Sequence, residues 1–472
     1  SVGQSVAVGN YAGRFATGSY NTFMGYKAGN GGTTSAPYSS GQYNTALGYR
    51  ALDNFTTAGF NIAIGPDALG TLSTASNNIA IGYNAMVSAT TGGNTYNLAI
   101  GNYAMQYFTA GATGNGQNTI IGHNAGKGSS GNTTGEFNTA LGYNTLNALT
   151  SGGSNVAIGR SAAAALTTGA VNTIIGRDAG GSLTGTGDTV LIGYAAGFAI
   201  NSTDANGTVA IGREAGTAIT SGIGNTAIGY QALDAEDDGD FNTAVGYQAL
   251  TAQTGTSGTV ANTAIGYQAG LAITTSHYNT LVGYHAGKSI TAGAGRSVLI
   301  GMRAGDAMTL SQYNVAIGYD AMGANQVGSH NIVIGGAAGY DLLGPENVII
   351  GSSAGQNLTT SSGSVVIGHE ALLNGTTDKY GVVLGYQAMY NHPAGAASEG
   401  TVAIGFKAMY QSKGSGTSGN VAIGNSAAYY ITHGMNNVFV GYYSGHNVTV
   451  GSKNSFLGRH TGNKINSGSD CT

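Results

Sequence analysis

Nine histidines, 20 acidic and 16 basic side chains and one cysteine form nearly the whole reactive inventory of this 472-residue chain. A metal site would need His, Cys, Asp or Glu at ligand spacing, and covalent catalysis a nucleophile beside a base. The histidines, among them His123, His277, His285, His330 and His369, show no ligand spacing. Cys471 stands alone, which excludes a disulfide framework and a Cys-based metal site. No Ser/His/Asp set can be singled out. The one charged cluster runs from Asp234 to Asp240. Its carboxylates Asp234, Glu236, Asp237, Asp238 and Asp240 supply the oxygen donors a calcium ion takes, but not at the spacing of an EF-hand loop. A solvated acidic loop is the reading adopted, and no cofactor is expected. Glycine runs such as Gly222 to Gly229 lack the strand-to-helix context that phosphate binding requires. What remains is aromatic. Tyr230, Tyr247, Tyr267 and Tyr284 recur at one phase, as a row that would stack on itself or present rings to a sugar.

That phase belongs to a nine-residue unit, of which Asn262-Thr263-Ala264-Ile265-Gly266-Tyr267-Gln268-Ala269-Gly270 is a clear copy. It recurs 26 times, each around an unvarying pivot glycine from Gly9 to Gly458, most often 17 residues apart. A fixed period with insertions at one phase marks a repeat architecture. Composition supports this. Gly 83 without a G-X-Y triplet excludes collagen, and 41% hydrophobic residues in fixed columns exclude disorder. With 8% charged residues and a net charge of -4, no basic surface is available for nucleic acid. No apolar run reaches membrane-spanning length and no charged-then-apolar leader opens the chain, so membrane insertion is not expected and the chain reads as processed or excerpted.

Positions are counted from the pivot glycine. Position −1 is Ile, Leu, Val or Met24, and position −3 is mostly Val, Thr or Ile, so the two share one face of a strand, expected to be the core face. Position −2, on the other face, is Ala in 14 copies and never polar, so the strand is expected to be covered on both sides. Asn fills position −4 in 19 copies, either as an amide ladder along the stack or as a turn residue bonding its own backbone. The pivot requires positive φ or an approach too close for a Cβ. Tyr follows it in 12 copies and Ala stands at +3 in 23. The rest of each period, rich in Gly, Ser, Thr and Asn, reads as turn or loop.

One such coil cannot bury enough to stand alone, and only stacking on neighbours stabilises it. The expected fold is therefore all-β: a parallel β-solenoid, or β-roll, of about 26 coils with one repeat per coil, forming an elongated rod. Residues 1–462 make one continuous repeat domain and 463–472 a short polar tail. Insertions at Gly31 to Tyr43, Thr109 to Gln117, Gly128 to Phe137, Thr251 to Ala261, Asn391 to Gly400 and Gln411 to Gly419 share a phase and should line one edge. Neither end shows a cap, so the ends are expected to associate head to tail or to be covered by flanking domains.

The run Ser5-Val6-Ala7-Val8-Gly9, with Asn155 to Gly159 and Asn420 to Gly424, resembles the head repeat of YadA-like trimeric autotransporter adhesins. The form at Asn225 to Tyr230 also looks like repeats of phage tail fibres and related bacterial surface proteins. The resemblance implies left-handed β-rolls, three chains side by side, outside the cell. The period here is longer than in that head, and no heptad stalk follows. The function expected is a structural, non-enzymatic extracellular fibre or adhesin-like protein that self-associates as a homotrimer or head-to-tail filament. The alternatives are a phage tail-fibre shaft recognising a host cell-surface glycan and a solenoid polysaccharide-cleaving enzyme, the last needing a charged cleft that the sequence does not reveal.

Overall fold

The computed structural model describes residues 3–36, 38–89, 95–109, 116–129, 133–254, 258–293, 295–393, 397–414 and 416–471. Within the expected insertions, residues 37, 110–115, 130–132, 255–257, 394–396 and 415 lie outside the described residues. The chain divides into two compact units, Ser1–Phe241 and Asn242–Thr472. Each is a parallel β-solenoid. In the first unit thirteen three-residue strands, from Val6–Val8 to Thr226–Ile228, pair in parallel with their successors, one per repeat. In the second, thirteen more do so from Thr243–Val245 to Ser455–Leu457. Register never slips: the middle residue of one strand always faces the middle of the next, as in Ile174 against Leu191 and Leu299 against Ala316. Among the described residues the only helical turn is the 3-10 turn Thr203–Ala205, opened by Ser202, whose hydroxyl oxygen accepts the Asp204 N–H.

The column at −4 fixes which way every strand faces. Asn155 Oδ1 accepts both the backbone N–H and the Nδ2 of Asn172, at 3.1 and 3.0 Å. Asn155 Nδ2 in turn donates to Asn138 Oδ1 and to the Gly169 carbonyl, both at 3.0 Å. The same ladder runs through Asn420, Asn437 and Asn454 in the second unit. These amides are fully buried, so the ladder is the observed arrangement. With −4 inside, strand alternation puts −2 inside and −3 and −1 outside. The burial follows: every strand of the two ladders except Val6–Val8 has a buried centre between two more exposed neighbours. The expected assignment of −3 and −1 to the core is thus reversed, and within the chain the strand is covered on one side only. Apolar character could not distinguish the faces because both are apolar.

Three further columns complete the core. Ala at +3 is buried in coil after coil; beside it lie Leu52, Leu69, Met86 and Leu146 at +4, and Leu72, Leu149, Leu166, Leu183 and Ile200 at +7. The +7 column falls in the stretch expected to be loop. The pivot glycine meets both conditions proposed for it. Gly142 has φ 144°, and a Cβ there would sit 2.5 Å from the Gly159 carbonyl oxygen of the next coil. Non-glycine residues also adopt left-handed φ, at −5, +2 and +4: Tyr43, Arg50 and Leu52 within one coil. Each such corner costs about 1 kcal/mol. Bonds to neighbouring coils offset it, with the Arg50 N–H donating to Tyr26 O and the Leu52 N–H to Ala68 O, both at 2.9 Å. Residues of the 463–472 segment lie against the preceding coil, where the Ser455 N–H donates to Cys471 O at 2.7 Å and the Thr449 N–H to Asn466 O at 3.0 Å.

Two substitutions on adjoining columns separate inside from outside. Asn155→Ala removes the acceptor for two buried donors and should cost about 2–3 kcal/mol. Ile158→Ser, on the open side of the same strand, should cost less than about 1 kcal/mol. Urea unfolding of the two variants at a dilution where the chain is monomeric checks this, and a larger loss for Ile158→Ser would reverse the assignment of faces.

Candidate functional site

The acidic run of the first unit does not gather around a common point. Glu236 is buried, and its Oε1 accepts the backbone N–H groups of Asp237 and Gly239 at 3.1 and 2.7 Å, capping its own turn. Asp240 Oδ1 accepts the Ile223 N–H at 2.8 Å, and Asp237 accepts the Thr220 hydroxyl. Asp238 is half-buried. Among the described residues no group of three His, Cys, Asp or Glu side chains is placed to hold a metal ion. Asp234 turns the other way, hydrogen bonds with Thr217, and is pushed above the usual carboxylate range by burial, the Thr217 bond opposing and the Glu214 charge adding to the shift.

The tyrosine row is a stack. In the second unit Tyr247, Tyr267 and Tyr284 lie nearly parallel, with ring centroids 5.1 and 5.2 Å apart. In the first unit arginine and tyrosine alternate: Arg177 and Arg213 lie over Tyr194 at 5.3 and 5.6 Å, and Arg213 lies over Tyr230 at 5.8 Å. Ring faces are therefore spent on neighbouring coils, and the edges point to solvent. His123 and His369 serve as rungs of the same column, stacked on Tyr143 and Tyr386. His330 stacks on Tyr313, and His277 meets Tyr278 edge to face. His285 stacks on Tyr284 and bonds Gln268, and burial lowers its pKa.

Two features escaped the sequence reading. A second aromatic column stands at −5, where Tyr20, Tyr43 and Phe60 stack at 4.8 Å intervals. With the +1 column it flanks the outward −3 and −1 columns: −1 is apolar in every copy, −3 mixes Val and Ile with Thr, and the two flanking columns mix rings such as Phe60 and Tyr267, 59% and 43% exposed, with polar and charged residues such as Asp188, Arg296, Arg160 and Arg459. The second feature is a cleft of about 500 Å³ in the first unit, lined by Asp178, Tyr194, Ala195, Phe198, Glu214, Thr217 and Asp234. Spacing between repeats would have aligned Asp178, Ala195 and Glu214 in one column, at +2.

No helix among the described residues is long and apolar enough to cross a membrane. No protein-family model matches the chain, and no curated protein matches it either.

One buried acid in the second unit is out of balance. Asp378 faces Ser398 across a parallel pairing and accepts its hydroxyl, but among the described residues Asp378 Oδ2 has no hydrogen-bond partner. Burial pushes its pKa up to about 6, against the opposing hydroxyl bonds of Ser398 and Ser364. A carboxyl raised in the folded state favours folding while protonated. Its contribution is complete below the unfolded value near 3.8 and is lost as pH rises to about 6. Asp378→Asn should therefore stabilise the second unit at pH 7.5 by up to about 3 kcal/mol, with little gain at pH 4. Unfolding measured at both pH values checks the sign.

Proposed function

We propose that the chain is a structural, non-enzymatic building element of an extracellular fibre, whose stacked coils supply rigidity and whose outer sheet face joins it to further copies of itself. The observation that carries this reading is the outward −1 column, apolar in every copy and never fully buried. Thirteen strands about 4.8 Å apart give each unit an outward apolar stripe roughly 60 Å long at −1, with the −3 column beside it. A continuous apolar stripe of this length on an outward face marks an interaction site. The likeness of the repeat to YadA-like heads and to tail-fibre repeats supports the same reading, including its extracellular setting and the side-by-side placing of chains. The glycan-binding and polysaccharide-cleaving readings gain less. The Tyr rings stack on one another, and the carboxylates of the cleft are engaged by Arg177, Arg213, Gln231 and Thr217.

Light scattering at about 10 µM should give a mass well above the 46.9 kDa of one chain. The triple variant Ile158→Lys, Ile175→Lys, Ile192→Lys should fall to monomer mass with an unchanged circular dichroism spectrum. A wild-type chain that stays monomeric at this concentration sinks the proposal.

A further inference from the structure

In the first unit the +2 column runs Ser161, Asp178, Ala195, Glu214, Gln231, every residue at a left-handed φ between 50° and 58°. The short Ala195 side chain, between the longer Asp178 and Glu214, leaves that column open, and the cleft occupies the gap. Phe198 contributes a half-exposed ring, held over Gly181 so closely that a Cβ there would lie 2.6 Å from it. Tyr194 lines the cleft as well, fixed between two guanidinium groups. The cleft therefore combines two aromatic rings with a hole of small-ligand size.

Its charge is one-sided. Arg177 pairs with Asp178 at 3.0 Å and Arg213 with Glu214 at 3.3 Å. Three carboxylates against two guanidinium groups leave one negative charge, which falls to Asp234. Asp234 lies beside the like charge of Glu214 and the neutral hydroxyl of Thr217, and among the described residues it forms no ion pair. An aromatic ring beside an uncompensated carboxylate favours a cation that carries apolar surface.

We propose that this cleft binds a small organic cation, with an alkylammonium group directed to Asp234 and its apolar body lying against Phe198 in the space that Ala195 leaves. The site belongs to one unit and does not depend on whether chains assemble. A cation there removes the penalty that Asp234 bears as a partly buried acid beside Glu214, and the ring excludes water from the pair.

The test uses n-butylammonium chloride as probe and n-butanol as its neutral counterpart, followed by saturation-transfer NMR on the full chain. Wild-type protein should bind the ammonium saturably, with a Kd on the order of 1 mM, and the alcohol at least about tenfold more weakly. Ala195→Gln closes the gap without straining the backbone, because Gln231, Gln248 and Gln268 occupy the same column at φ 50° to 54°. It and Asp234→Asn should each weaken ammonium binding at least about tenfold. Absence of saturable binding, equal binding of the alcohol, or binding unchanged in Ala195→Gln would each overturn the proposal.

Discussion

Each coil has its polar backbone satisfied by the coils on either side of it, and the residue that makes this possible is the buried asparagine four positions before the pivot. A carboxamide carries a donor and an acceptor on one rigid plane, so it can pass the same pair of bonds from coil to coil without reversing direction. A carboxylate only accepts, and an ammonium only donates. Hydroxyls are the natural substitutes because they too do both: Thr189 Oγ1 donates to Asn172 Oδ1 at 2.7 Å, and Ser297 Oγ accepts the Asn314 N–H at 3.2 Å. Once the ladder is inside, strand alternation determines the rest. The Ala-rich column faces inward and the Ile and Val columns face out.

In-register stacking also explains the scarcity of charge. A charge repeated in every copy would meet its equivalent one coil away, about 4.8 Å distant, at roughly 1 kcal/mol of repulsion per pair even in water. Charged residues are held to 8% of the chain, and several are placed where signs alternate or rings intervene. Arg50 meets Asp67 one coil on, Arg303 pairs with Asp320, and Arg177 and Arg213 sandwich Tyr194. The tyrosine row follows the same rule, since an uncharged ring can face its copy and gain from it.

The period, the parallel solenoid and the asparagine column were legible because they recur in nearly every copy. The choice of faces was not. Val156 and Ile158 outside and Ala157 and Ile174 inside are all apolar, and only the position of the amide distinguishes them. The +7 column was hidden for another reason: Leu149, Leu166 and Leu183 each sit at the start of a Thr- and Gly-containing stretch, without the alternation that identifies a strand. Left-handed corners at Leu52 and Leu69 were hidden because such residues rarely adopt that φ without neighbouring coils to enforce it. The cleft beside Ala195 involves four separate coils, and a change from a long to a short side chain in one column becomes a hole only when the columns are stacked.

The outward strand residues need a cause apart from the coil's own stability. β-branched side chains suit any strand, buried or not, and that preference accounts for position −3, where Thr, Val and Ile interchange freely. It does not account for −1. In 26 copies that position is Ile, Leu, Val or Met, never Thr, although Thr has the same branching and would be more soluble. Propensity alone would admit it there as it does two residues earlier. Exclusion of a hydroxyl from one half-exposed column, copy after copy, is what a surface requires when it is to lose its water to another apolar surface, where an unpaired hydroxyl is costly.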